Sequence, residues 1–365
     1  MGPACGMILA QLGAEVIKIE PPKGDKTRDL TGMGKAFFPL FNRGKRSMVL
    51  ELDTPDGRAA FDALMAKTDV FVENFRDGQL EKQGIRADDL RARFPRLIIA
   101  GHKGFLSGPY EHRPALDEVV QMMSGLAMMT GSLENPLRVG SSANDIMGGM
   151  FGVIGILAAL LERGQTDKGK DIRIGLFENC LFLVAQHMVQ YELTGVPSVP
   201  MPQRVHTWPI YDVFRTRDQQ QIFVGVVTDG HWTSFCQTYD LPEFMTDARL
   251  QNATDRIDAR SWTLPIVAQK IAAHDLDDLT TTLDRLNIPF AQINRPEDMY
   301  NDPHVNRDGG LVGATNFDGR VFRSPALPLE LDGQGLGEGL AVSGLGADTD
   351  SILAELGLKP GAKNV

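Results

Sequence analysis

The chain has 365 residues, a length that suggests two domains or one large domain with a long insertion, and its composition of 42% hydrophobic and 23% charged residues is typical of a globular protein. It carries 37 basic and 47 acidic residues, a net charge of −10, which argues against sequence-independent binding of nucleic acid because such binding needs a basic surface. The three cysteines form no CxxC pair and no even disulfide set, so we expect buried thiols and a reducing, cytoplasmic location.

The first third of the chain alternates between short apolar strands and helices. Strands are predicted at 14–19, 47–52, 69–72 and 97–100, and helices at 8–12 and 57–67. Short apolar strands separated by helices form a parallel sheet that is covered on both faces. We therefore expect an α/β large domain.

The longest uncharged apolar run, 146–161, directly follows Asp145. It is too short to span a bilayer comfortably, so we expect a buried core helix and no membrane association. At the start of such a helix, unpaired backbone N–H groups would hold the Asp145 carboxylate ionised. Four glycines of the run would let another backbone or a ligand approach closely: Gly148, Gly149, Gly152 and Gly155. Because an Asp at a helix start is usually only an N-cap, this local pattern leaves both a structural and a catalytic role open.

The middle of the chain has a different pattern. Residues 195–209 contain four prolines and indicate a linker. Strand patterns at 211–215 and 221–227 follow, and then polar, helix-forming sequence. We expect a smaller inserted α+β domain at 203–289, between a first part of the large domain at 1–202 and a stretch at 290–365 that links back and returns to it. The tail contains strand patterns near Val321 and Leu327 and a last helix at 349–356, ended by Gly357.

Seven segments resemble the class III CoA-transferase family, the group of formyl-CoA and carnitine CoA-transferases. They are LAQLGAEVIKIEPP (9–22), NRGKRSMVLELDTPDGR (42–58), DVFVENFRDGQLEKQGI (69–85), GFLSGPY (104–110), DIMGGMFGVIGILAALLER (145–163), IPFAQINRPEDMYNDPHV (288–305) and DSILAELGL (350–358). One such segment is weak support, but seven in the right order and spacing are specific, and they extend over nearly the whole chain.

The resemblance implies a Rossmann-like parallel-sheet large domain built from both chain ends, a small middle domain, and two subunits interlocked like linked rings in a homodimer. Family members begin with a further strand before an A-G-P turn, whereas this chain starts at Met1–Gly2–Pro3, inside that turn. We therefore expect the first strand to be missing, which a mis-assigned start explains better than a natural loss.

The resemblance also implies that the protein moves coenzyme A between carboxylic acids through an aspartyl-CoA thioester. Its substrates would be an acyl-CoA and a free carboxylic acid, with no tightly bound cofactor and no metal. The family nucleophile opens a D-x-x-x-G motif, which falls on Asp145 and Gly149. The implied coenzyme-binding residues are Asn74, Phe75, Arg76, Lys82 and Lys103. Each has a structural alternative, since a lysine is usually a solvated surface charge and a phenylalanine usually belongs to the core.

Three other functions are weighed against this one. An acyl-CoA racemase of the same superfamily needs a histidine where this chain has Leu116, which cannot shuttle a proton. A non-catalytic CoA-binding protein would lack Asp145, which is present. A dinucleotide dehydrogenase would show G-x-G-x-x-G after a strand, and the sequence does not contain that motif.

The acids that are exchanged are not identified by the sequence. Arg113, Arg204 and His206 are candidate partners for a second carboxylate, as on succinate or mesaconate, with structural cations as the equal alternative. The formyl-CoA subgroup carries a tetraglycine loop near the linker, where this chain has RVHTW at 204–208, and this difference argues against formyl-CoA and oxalate as substrates.

Overall fold

The computed structural model describes residues 1–204, 207–336 and 340–359. Its strands are β1 (Val16–Glu20), β2 (Lys45–Val49), β3 (Val70–Glu73), β4 (Ile98–Lys103), β5 (Asp171–Gly175), β6 (Ile210–Arg215), β7 (Gln221–Val226), β8 (Phe290–Gln292), β9 (Leu311–Thr315), β10 (Val321–Pro325), β11 (Glu330–Leu331), β12 (Gln334–Gly335) and β13 (Leu340–Ala341). Its helices are α1 (Gly2–Gln11), α2 (Phe37–Asn42), α3 (Pro55–Met65), α4 (Gln79–Lys82), α5 (Ala87–Arg93), α6 (Asp117–Met123), α7 (Leu126–Thr130), α8 (Ala143–Thr166), α9 (Leu176–Thr194), α10 (Asp229–Thr238), α11 (Pro242–Thr246), α12 (Ala253–Asp258), α13 (Arg260–Ile271), α14 (Leu276–Arg285) and α15 (Thr349–Glu355).

The chain divides into two compact units. One comprises Met1–Pro202 together with the chain from Pro303 onward, and the other is Gln203–Asp302. The second unit extends beyond Pro289, where the sequence suggested its end, because β8 pairs antiparallel with β7. Strands β6, β7 and β8 form its sheet, and helices α10 to α14 complete it.

Parallel strands form the centre of the first unit. β1 pairs with β2, and β3, β4 and β5 form a second parallel group in that order. The expected α/β architecture with parallel strands is therefore confirmed. In the part of the chain that the structure describes, no strand ladder joins the two groups, but both pack on one hydrophobic core that contains Met48, Phe61, Phe71 and Ile99.

The end of the chain packs against the early strands. Asp348 accepts a hydrogen bond from the backbone N–H of Ser47 at 2.8 Å, and Ile352 and Leu353 of α15 enter the same core as β2. The buried guanidinium of Arg43 donates to the hydroxyl of Ser324 in β10 at 2.5 Å. These contacts hold sequence-distant segments in one unit.

Helix α8 is buried along one face only. By length and composition alone it could cross a bilayer, a property it shares with core helices of soluble proteins. It packs on α1, β4, β5 and α9. The expectation of a buried core helix holds for the face that carries the glycines, whereas the opposite stripe is exposed because its residues recur every three or four positions on the side away from these elements: Met150, Ile154, Leu157 and Leu161.

Candidate active site

Asp145 lies in the first turn of helix α8. The helix begins at Ala143 after the N-cap residue Ser142, so Asp145 is its third residue and not its cap. Its side chain is 39% exposed, and its Oδ1 lies 3.1 Å from the amino group of Met1. The carboxylate is therefore reachable and lies close to the positive end of the helix dipole.

The glycines after Asp145 allow neighbouring elements to press against the helix. A methyl group added at Gly149 would lie 2.7 Å from Cβ of Ala4 and 2.9 Å from the backbone nitrogen of Cys5, both in α1. One added at Gly152 would lie 2.5 Å from Nε2 of His102. Such distances are too short for real contacts, so α1 and β4 approach α8 more closely than any side chain there would permit. At Gly149 the close neighbour is thus another backbone, one of the two possibilities that the sequence left open.

Lys103, at the carboxyl end of β4, is a paired cation. Its Nζ donates to Glu73 Oε1 at 2.8 Å, to Asp77 Oδ1 at 3.2 Å and to the carbonyl of Phe75 at 3.1 Å. Burial acts to lower the pKa of Lys103, but the hydrogen bonds and charges of Glu73 and Asp77 outweigh it and raise that pKa above its usual value. Lys103 therefore braces the loop after β3, and a ligand phosphate would compete there with two carboxylates.

The loop that Lys103 braces carries Asn74, Phe75 and Arg76, all of which are exposed. Asn74 lies against the start of α1, since a methyl group added at Gly2 would be 3.2 Å from its Cβ. Met1, the residue before Gly2, contacts Asp145 through its amino group. The loop and Asp145 thus flank the amino end of α1. Five of the six sequence-predicted site residues therefore share one neighbourhood: Asn74, Phe75, Arg76, Lys103 and Asp145.

Lys82 lies in a different place on the surface. It is the exposed last residue of α4 and lines an open groove of about 430 Å³ together with Leu52, Asp53, Thr54, Pro55, Arg58, Gln83 and Gly84. Arg58 donates a hydrogen bond to the carbonyl of Gln83 and so closes one side of this groove. Lys82 therefore lies with Arg58 and not with the ion pairs of Lys103.

A polar cluster beside Asp145 was not singled out from the sequence. Asp117 begins α6, and its largely buried side chain, 9% exposed, accepts a hydrogen bond from Gln121 Nε2 at 3.0 Å. Arg138 stands 3.7 Å from the other carboxyl oxygen of Asp117. Burial raises the pKa of Asp117, and the charge of Asp145 raises it further. The available signal was the pair Asp117–Glu118, followed by Gln121, within the mostly apolar segment 115–123.

The candidates for a second carboxylate are scattered. Arg113 is exposed, and its guanidinium lies 4.8 Å from the ring centroid of Tyr110. Arg204 belongs to the second unit, and His206 lies outside the described residues. Within the described ranges, no group of three or more His, Cys, Asp and Glu side chains could hold a metal ion.

Comparison with known proteins gives consistent matches over most of the chain. A family model described as "CoA-transferase family III" matches residues 1–349. The chain is 37% identical over 288 residues to the acetyl-CoA:oxalate CoA-transferase of Acetobacter aceti, a match that covers 76% of this chain and 74% of that protein. It is 30% identical over 368 residues to the succinate–glutarate CoA-transferase of Agrobacterium fabrum, covering 97% and 92%. A solved CAIB/BAIF family protein from Brucella suis superposes with a TM-score of 0.86 at 29% identity, covering 97% of this chain and 95% of that one.

Proposed function

Because the chain belongs to CoA-transferase family III, as its seven segments indicated, we propose that Asp145 is the nucleophile with which it moves coenzyme A from one carboxylic acid to another. That it is a CoA-transferase follows from the family and from the named activities of its relatives. The observation that carries the proposal is the reachable carboxylate of Asp145 in the first turn of α8. The next two turns of this helix contain Gly148, Gly149 and Gly152.

The proposed reaction passes through two covalent intermediates on Asp145, a mixed anhydride and an aspartyl-CoA thioester. The Asp145 carboxylate attacks the acyl-CoA thioester, expelling CoA thiolate and leaving a mixed anhydride. The thiolate then attacks the aspartyl carbonyl, releasing the first acid as a carboxylate and leaving an aspartyl-CoA thioester. The second acid reverses both steps. Covalent catalysis of this kind conserves the energy of the thioester, provided that N–H donors stabilise the oxyanions and water is excluded.

Coenzyme A is held, in this proposal, by the loop Asn74–Arg76 with Lys103, and by Lys82. The exposed ring of Phe75 and the guanidinium of Arg76 offer stacking and phosphate pairing at the carboxyl ends of β3 and β4, the edge of a parallel sheet where ligands bind in α/β folds. Lys82 and Arg58 supply two further cations in the separate groove that they line. The implied coenzyme is a substrate and not a resident cofactor.

The acids are, in this proposal, dicarboxylic. The two relatives described above are named for acetyl-CoA and oxalate and for succinate and glutarate, so each name includes a dicarboxylic acid. Arg113 is an exposed cation in the segment before α6 and remains a candidate for the second carboxylate. Because one of these relatives is named for oxalate, oxalate belongs in the substrate panel although the chain lacks the tetraglycine loop.

The protein acts, in this proposal, as a cytoplasmic homodimer. Large apolar side chains are exposed on α8 and along α9: Met150, Ile154, Leu157, Leu161, Phe182, Met188, Val189 and Leu193. Contiguous apolar surface of this kind marks an association face. A second copy of the chain would cover it and shield the anhydride from water.

Trapping the intermediate tests the nucleophile directly. The protein is incubated with succinyl-CoA and quenched with hydroxylamine, and its peptides are analysed by mass. We expect a hydroxamate on Asp145 and on no other carboxylate, and no modification in Asp145→Asn. Turnover that proceeds while Asp145 stays unmodified would contradict the covalent mechanism.

A further inference from the structure

Asp117 has too few hydrogen-bond donors for a buried anion. Its Oδ1 accepts one bond, from Gln121, and its Oδ2 is buried without a hydrogen-bond partner among the described residues. The guanidinium of Arg138 stands 3.7 Å from Oδ2, beyond hydrogen-bonding distance, and is itself bonded to the carbonyls of Val139 and Ser141. A buried carboxylate normally has its lone pairs satisfied, because leaving them unpaired costs more for a charged group than for a neutral one.

The charges around Asp117 are mixed. Asp145 opposes its ionisation, whereas Arg138 and the amino group of Met1 favour it. Glu118 faces the same guanidinium, 3.8 Å from Nη1 of Arg138. From α9 the facing titratable group is the thiol of Cys180, which burial keeps neutral by raising its pKa to about 11. Burial and the charge of Asp145 outweigh the favourable interactions and raise the pKa of Asp117, a shift in the direction of the protonated acid.

We propose that Asp117 is a positioning residue that works as a neutral carboxylic acid, so that it adds no negative charge of its own beside Asp145 at the amino end of α8. The inference rests on the proposed role of Asp145. An ionised Asp117 would oppose the approach of a substrate carboxylate to Asp145, because like charges repel strongly where water is scarce.

The neutral acid also holds the chain that leads into α8. Gln121 donates to Asp117 with its amide nitrogen and accepts a hydrogen bond from the backbone N–H of Val139 with its oxygen, at 3.0 Å. The guanidinium of Arg138 donates to the carbonyls of Val139 and Ser141. Ser141 directly precedes Ser142, the N-cap of α8. Asp117 is thereby coupled to the position of Asp145 through Gln121 and residues 138–142.

Infrared spectroscopy of the ligand-free protein tests the protonation state without reference to catalysis. At neutral pH we expect the carbonyl band of a protonated carboxyl group in the wild type and its loss in Asp117→Asn. Glu118→Gln, which removes a neighbouring exposed carboxyl group, should retain the band. Wild-type and Asp117→Asn spectra that are identical in this region would overturn the proposal.

Two substitutions test the positioning role. Asp117→Asn keeps a neutral side chain whose oxygen can still accept from Gln121, so kcat should fall by no more than about tenfold, whereas Asp117→Leu removes the acceptor and should lower kcat about 100-fold or more with little change in KM. An Asn variant as slow as the Leu variant would mean that the negative charge is needed, against the proposal. Hydroxylamine labelling separates this hypothesis from the proposed role of Asp145. If Asp145 is labelled but the infrared band of a protonated carboxyl group is absent, only the proposed role of Asp117 is overturned. If the band is present but Asp145 is not labelled, the proposed nucleophile is overturned and the protonation of Asp117 stands.

Discussion

The two units of the chain differ in how completely they bury their apolar side chains. In the second unit, large side chains from the sheet and the helices bury one another in a single cluster, which includes Ile210, Val224, Trp232, Phe235 and Leu283. In the first unit, the described residues divide into several smaller clusters, and large apolar side chains on α8 and α9 remain exposed. The second unit thus concentrates its apolar burial in one core, although single side chains such as Val213 and Ile293 are exposed there too. In the first unit, exposed apolar side chains recur along two helices. The unit that carries the proposed nucleophile is therefore also the one for which we propose an association face.

The largest effect that we expect is the loss of CoA-transfer activity when Asp145, in the first unit, is replaced. Asp145→Asn should lower transfer by at least about 1,000-fold, because an amide cannot form the acyl intermediate. Its stability should change by no more than about 1 kcal/mol, since Asp145 sits in the first turn without capping the helix. Assays with succinyl-CoA and a panel of acids, alongside thermal unfolding, measure both. Near-normal transfer in this variant would remove Asp145 from the mechanism.

The next effect is on stability, in the second unit. Phe235 is fully buried and packs on Tyr239 with ring centroids 4.6 Å apart. Phe235→Ala should lower the free energy of unfolding by about 3–5 kcal/mol, the usual cost of removing a buried aromatic ring. Denaturant titration measures the loss, with Phe235→Leu, which removes the ring but keeps a large apolar side chain, as the milder control. A loss below about 1 kcal/mol would show that this unit is less tightly packed than its burial indicates.

A third substitution tests the apolar surface of the first unit. Leu161 on α8 is 76% exposed, so Leu161→Glu should leave the folded chain intact but weaken dimer formation by at least about tenfold, because a charge would be buried in the interface. Sedimentation over a range of concentrations measures it. The matched control is Val213→Glu, a substitution at an exposed position of the second unit. A wild-type chain that sediments as a monomer would refute the dimer, and equal effects of the two variants would refute the contrast between the units.

The smallest effects concern the two lysines. Lys82→Ala and Lys103→Ala should each weaken coenzyme A binding, by up to about tenfold. The effect of Lys82→Ala should shrink as salt is added, because Lys82 is exposed and salt screens exposed charges. The effect of Lys103→Ala should depend less on salt, because this substitution also leaves the carboxylates of Glu73 and Asp77 without their partner below the loop 74–76. Calorimetric titration with coenzyme A at two ionic strengths distinguishes these cases, and unchanged affinity in both variants would return the lysines to ordinary surface charges.

The elements of the fold were easier to predict than the contacts of the site. The run 14–19 contains three β-branched apolar residues and is bounded by Gly13 and by Pro21, so β1 was visible from its residues. β4 was predicted to end at Ala100 but continues to Lys103, because its polar end is held by the ladder with β5, which the sequence does not display. The pairing of Lys103 with Asp77 and of Asp117 with Gln121 depends on how a loop folds back and on side-chain rotamers. Such pairings follow from tertiary geometry, so the sequence pointed to residue types without pointing to their partners.

The glycine face of α8 has a consequence for anyone who wishes to make this protein more heat-resistant. Replacing glycine by alanine within a helix is a standard stabilising change, worth up to about 1 kcal/mol. At Gly148, Gly149 and Gly152 that route is closed, because the added methyl group would collide with α1, Asn179 or His102. At Gly164, in the last turns of the same helix, the methyl group would meet nothing within 4 Å. Gly164→Ala should therefore raise the melting temperature slightly, while Gly149→Ala lowers it, so the helix can be improved by design only at the end remote from Asp145.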